Sequence, residues 1–233
     1  MYINDTHIGF FIGIFILGLL VGQFVDWMNK RLPEYKKVFS KEIFQEYKIN
    51  FKPNYILMLI TAILYCAILY RYGVQKTLIE NLNLIKYLIL TPMLLSAFVI
   101  DYRQQIIPNR LNLTMFEIGL IIAFLYGMSN VAITLVGSLI YGKEALGFGD
   151  VKLMGALGLY FGVSNILAIS AMSFLIGAIL GIILIVTKIK KSNEYIPFGP
   201  FIVIATFISI FVPFDILLKT LLVIFTLGTY KAV

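Results

Sequence analysis

Cysteine is almost missing from this chain. Cys66 stands alone inside an apolar stretch, which excludes an intramolecular disulfide and any multi-cysteine zinc site and reads as a structural thiol. Histidine is as scarce: His7 is the only one, so no multi-histidine metal centre can be built, and chemistry resting on an activated serine or cysteine is not expected. Charge is thin, at 13% of the residues, and only five of the twelve acidic groups are aspartates. With 60% hydrophobic residues and a mean hydropathy of +0.93, an ordinary soluble domain is ruled out. The net charge of +7 sits in loops beside apolar runs, which excludes a nucleic-acid surface and points to membrane lipid.

What the chain does have is long apolar runs, and a crossing needs about 20 largely apolar residues. Candidate spans are Ile8 to Met28, Tyr55 to Tyr70, Leu84 to Ile100, Leu111 to Gly127, Val131 to Leu146, Val151 to Val163, Ile166 to Thr187 and Phe198 to Val212. A ninth stretch, Ile216 to Thr229, is interrupted by Lys219 and either spans or lies along the interface. The expected fold is all-α: a polytopic membrane helix bundle of about eight segments (seven to nine), forming one domain over residues 1–233. The first run has no basic leader and is followed by Lys30 and Arg31 rather than a small-residue cleavage site, so it reads as a retained span.

Residues 29–53 hold seven lysines and arginines against three glutamates, and Lys188, Lys190 and Lys191 form a second basic cluster. Counting passes puts both on one face, which the positive-inside rule makes cytoplasmic. The same count places 101–110 and the Gly147–Asp150 turn there, while Arg71 and Lys76 object mildly. The protein is therefore expected in the cytoplasmic membrane, with the short basic loop 29–53 and two of its aspartates near the cytoplasmic boundary.

Those two aspartates carry distinctive collars. One reads Asp101-Tyr102-Arg103-Gln104-Gln105-Ile106-Ile107-Pro108-Asn109; the other reads Gly147-Phe148-Gly149-Asp150-Val151-Lys152. A carboxylate at a membrane boundary is costly and marks a functional candidate. Two brought together can share one proton, one taking a proton from water while the other donates to a peptide carbonyl oxygen; such a dyad titrates as a pair. Gly147 and Gly149 suit a turn that delivers Asp150 at a helix start. Pro108 disfavours helix at Ile107 and forces a turn, after which Asn109 is placed to cap the next span. Lys152 lies in reach of an acidic group or a lipid phosphate.

Other polar residues read more plainly. Asp26 is spaced for an i,i+4 ion pair with Lys30. Glu117 lies inside its span and calls for a protein partner or water, while His7 reads as a surface residue. Gly9/Gly13, Gly18/Gly22, Gly158/Gly162 and Gly177/Gly181 have the spacing of close helix approach.

The two collars, with Ile196-Pro197-Phe198-Gly199-Pro200, resemble the type IV prepilin peptidases, membrane aspartic proteases with a Gly-x-Gly-Asp signature. Gly18 to Phe24, running on to Arg31-Leu32-Pro33, is similar to that family's N-terminal segment. The resemblance implies catalysis by Asp101 and Asp150, supported by Pro108, Asn109, Gly147, Gly149, Lys152, Pro197, Gly199 and Pro200. It implies cleavage of the basic leader of a prepilin-like precursor beside an apolar helix, with neither metal nor cofactor for the proteolysis. Bacterial members commonly also methylate the new N-terminus with S-adenosylmethionine. Here the paired cysteines of many members' first loop are absent, and Gln23 and Asp26 replace their serine and asparagine.

The neighbouring readings are an archaeal preflagellin peptidase or another Gly-x-Gly-Asp intramembrane protease. From a different class comes a proton- or cation-coupled transporter, and a packing subunit of a pilus machine is a third. Transport fits poorly, since both aspartates lie near one boundary and no internal repeat is evident.

Overall fold

The computed structural model describes residues 2–3, 6–36, 38, 52–126, 148–191 and 194–226. Among these residues a two-residue antiparallel hairpin, β1 (Tyr2–Ile3) with β2 (Thr6–His7), precedes seven helices. They are α1 (Ile8–Arg31), α2 (Tyr55–Tyr72), α3 (Leu82–Gln104), α4 (Asn109–Leu125), α5 (Phe148–Val186), α6 (Gly199–Phe211) and α7 (Phe214–Phe225). The expected all-α membrane architecture holds. Four helices, α1, α2, α3 and α5, are long and apolar enough to cross a membrane, and α6 is a shorter apolar helix. The figure of about eight spans is not reached by these four, and the span expected at 131–146 lies outside the described residues. The chain divides into two compact units, Met1–Val99 and Ile100–Val233.

In the first unit, glycine decides how α1 meets α2. A Cβ on Gly18 would lie 2.5 Å from the Ala62 Cα, and one on Gly22 would lie 2.5 Å from the Met58 Cα. The two backbones touch, the arrangement that small residues permit where lipid gives apolar surfaces no incentive to associate. Gly13 has open space around it, so Gly9/Gly13 does not pack as its spacing suggested. Asn54 then fastens the helix ends. Its Oδ1 caps α2 by accepting from Leu57 N at 3.3 Å, and its Nδ2 donates to Asp26 Oδ1 at 2.7 Å. Its own N–H donates to Gln23 Oε1 at 2.9 Å. Asp26 also makes the expected ion pair with Lys30, at 2.6 Å. Gln23 and Asp26, the two departures from the family pattern, thus bind the same residue.

α3 carries Pro92 in its interior, which leaves the carbonyl four residues back without its helical donor. That carbonyl is Leu88 O, and the Tyr65 hydroxyl supplies the missing hydrogen bond at 2.8 Å. Inside a bilayer no water would do so. His7, exposed as expected, accepts from Gly9 N at 3.1 Å and so caps α1.

In the second unit, α4 approaches α5 at Gly119, whose Cβ would lie 2.9 Å from the Tyr160 ring, and the Tyr160 hydroxyl donates to Met115 O at 3.0 Å. α5 is not one straight rod. Gly162 has φ 77° and ψ 171°, so the helix breaks there instead of at a loop around 164–165. The break leaves segments of about 21 and 36 Å at 1.5 Å per residue, the second long enough for a hydrocarbon core of about 30 Å. Gly162 is therefore a break, not a packing contact. Gly177 packs against Phe201, and Leu217 and Leu221 of α7 pack with Ala168 of α5. α7 has twelve residues, or about 18 Å, too short to cross. Exposed apolar residues such as Phe124, Ile182 and Val186 give this unit a lipid-compatible surface.

Candidate active site

Asp101 stands one turn before the end of α3, which stops because Gln105 turns into the left-handed region, at φ 56°. The Gln105 N–H closes that last turn on Asp101 O at 2.8 Å. Residues 106–108 are then non-helical, as Pro108 requires of Ile107. Asp150 is the third residue of α5, delivered at a helix start as its glycine collar suggested. Gly147 lies outside the described residues.

Both side chains are sequestered, Asp101 at 3% exposure and Asp150 at 4%, so neither is an idle loop acid. They lie within electrostatic range of each other. The third element is the start of α6. Gly199 N–H donates to Asp101 Oδ2 at 2.9 Å, a charge-assisted bond from the positive end of a helix. A Cβ at Gly199 would lie 2.6 Å from that same oxygen, so only glycine fits there. Pro197 and Pro200 flank it, buried, and Phe198 beside it packs on Phe174 with ring centroids 5.0 Å apart. Among the described residues, no group of three or more His, Cys, Asp or Glu could hold a metal ion.

The two collars also bind each other. Lys152 Nζ donates to Asn109 Oδ1 at 2.8 Å and lies 4.2 Å from the centre of the Phe148 ring. Asn112 Nδ2 donates to Gly149 O at 3.2 Å, and a Cβ on Gly149 would come within 3.2 Å of the Ile107 Cβ. Two expectations change here. Pro108, not Asn109, is the N-cap of α4, and it makes no side-chain cap bond. The Asn109 side chain is taken by Lys152, whose partner among the described residues is this amide and not an acidic group. Glu117 is exposed and makes no hydrogen bond or ion pair among the described residues, because α4 turns the Gly119 side of the helix, not Glu117, toward α5.

Residues 88–182, which contain both aspartates and the contacts between their collars, match the type IV leader peptidase family. Over this segment the chain belongs to that family. It is 30% identical over 170 residues to a prepilin leader peptidase/N-methyltransferase of Aeromonas hydrophila, covering 66% of this chain and 57% of that protein. A protein of the same name from Xanthomonas campestris pv. campestris is 32% identical over 171 residues, 67% of this chain and 58% of the relative. One from Pseudomonas aeruginosa is 33% identical over 138 residues, 53% and 48% respectively. The chain therefore spans about half to three-fifths of the curated relatives it matches. No solved structure matches it.

Within the leader peptidase segment, sequence reading took Ile107 only as the residue that Pro108 keeps out of helix, and it passed over Asn112. Neither is charged, and their part is to seat Gly149 from 42 and 37 residues away. Outside that segment it also passed over Tyr195. Burial, and then the negative charges of Asp150 and Asp101, push this phenol above its ordinary range, so it lies near both carboxyls. Its signal was only its position, two residues before Pro197.

Proposed function

We propose that this protein is a membrane aspartic endopeptidase. Its substrate is a type IV prepilin or prepilin-like precursor, and it removes the basic leader at the cytoplasmic face of the cell membrane. The observation that carries the reading is the convergence of two buried aspartates and the Gly199 N–H within a chain of the leader peptidase family.

In this mechanism one carboxylate of the pair takes a proton from water, and the resulting hydroxide adds to the scissile carbonyl carbon. The other carboxyl gives its proton to the carbonyl oxygen. Collapse of the tetrahedral intermediate breaks the C–N bond as the leaving nitrogen takes up a proton. Gly199 N–H holds Asp101 in one rotamer throughout. The reaction needs no cofactor. S-adenosylmethionine belongs only to a methyltransferase activity, which relatives carry in their names.

The apolar helix of the precursor stays in the bilayer while its polar leader meets the aspartates. The basic 29–53 loop on the same face fits that arrangement under the positive-inside rule.

The test is cleavage of a purified prepilin by the full chain in detergent. Asp101→Asn and Asp150→Asn are each expected to abolish the leader fragment at normal abundance, while Asp215→Asn retains most activity. Processing near the wild-type rate by either active-site variant refutes that aspartate's role.

A further inference from the structure

A cavity of about 510 Å3 opens between α4 and α5, on the side of α5 away from Asp150, which does not line it. Its size is that of a small-molecule site. Its walls are apolar: Leu113 and Phe116 from α4, Val151, Gly155 and Ala156 from α5. From Asn109 to Phe116 it runs about 10 Å along the helix. Phe148 and Leu113, at 73% and 57% exposure, leave it open to the surroundings of the helix bundle.

The mouth is polar and positively charged. Lys152 lies there, and among the described residues its ammonium meets no carboxylate, only the neutral Asn109 Oδ1 and the Phe148 ring. Asn112 also lines the cavity. Its Nδ2 is fixed on Gly149 O, which can only accept, so the amide orientation is determined and Oδ1 is left buried without a partner. A buried acceptor without a donor is rare enough to need an explanation.

We propose that this cavity binds an anionic glycerophospholipid. One acyl chain lies along Leu113, Phe116, Val151 and Gly155, the phosphate pairs with Lys152, and a headgroup hydroxyl donates to Asn112 Oδ1. Charge selects this occupant. The lysine attracts an anionic headgroup and repels a basic peptide, and both helices begin at this mouth, where headgroups meet the apolar core. The assignment does not depend on the chain being a peptidase. Its consequence is that a lipid bonded to Asn112 reaches Gly149, the residue before Asp150, through one side chain.

The test is native mass spectrometry of the detergent-purified full chain, titrated with phosphatidylglycerol or phosphatidylcholine of identical acyl chains. Wild type is expected to hold phosphatidylglycerol about fivefold more tightly, the increment that one lysine gives near an anionic surface. Lys152→Gln should bring the two lipids level, and Gly155→Leu, which fills the cavity, should remove binding of both. Leu113→Trp blocks the same space from α4 and replaces Gly155→Leu if that variant fails to fold. Equal binding of the two lipids by wild type overturns the assignment. So does a preference that survives Lys152→Gln, or binding that survives the blocked cavity.

Discussion

Gly199→Ala tests the coupling between α6 and Asp101 while both aspartates stay in the sequence. The new Cβ would stand 2.6 Å from Asp101 Oδ2 and 3.0 Å from Cγ, whereas ordinary contact begins near 3.4 Å. The carboxylate must therefore retreat by about 0.8 Å (3.4 − 2.6), or α6 must retreat by as much. Misplacement on the order of 1 Å in a catalytic group costs roughly 10²-fold, or about 2.7 kcal/mol of barrier. Overpacking of this kind costs about 1–3 kcal/mol of stability, so the variant should fold with a lower Tm. The measurement is kcat/KM for precursor cleavage in detergent, with the thermal unfolding midpoint read on the same preparation. Gly181→Ala is the control, because its nearest neighbour would be Ile196 Cδ1 at 3.8 Å, and it should cleave at close to the wild-type rate. If Gly199→Ala retains half of the wild-type kcat/KM, or if Gly181→Ala loses as much, the Gly199–Asp101 contact does not govern the reaction.

Two further outcomes are expected. Gly22→Ala, which drives a Cβ to 2.5 Å from the Met58 backbone, should destabilise the first unit by about 1–3 kcal/mol, whereas Gly13→Ala, in open space, should not; denaturant titration distinguishes them. A Gln105→Cys introduced into a Cys66→Ala background should react with a membrane-impermeant thiol reagent only in opened cells, and labelling from outside intact cells would reverse the proposed sidedness.

The helices were legible because apolar runs of span length have few other uses, and the two aspartates were legible because buried acids are rare in such a chain. What stayed hidden depends on contacts distant in sequence. Nothing near Pro92 announces that Tyr65 will satisfy Leu88 O. Asn109 read as a cap because asparagine is a favoured N-cap residue, but Lys152 competes for its side chain from 43 residues away. The break at Gly162 was read as close packing because helical glycines at four-residue spacing favour that use; its positive φ belongs to the tertiary fold. Ile196 to Pro200 was recognised as a motif, yet its chemical part, one N–H aimed at Asp101, is a backbone group that no side-chain pattern encodes.

The cross-links between the collars have an engineering consequence. Asn109 to Lys152 and Asn112 to Gly149 join the beginnings of α4 and α5 directly, two polar ties that hold the Asp150 collar against the one that follows Asp101. A designer who moves this site to another helical scaffold must carry Asn109, Asn112, Gly149 and Lys152 along with Asp101 and Asp150, since the aspartates alone bring none of the ties that seat them.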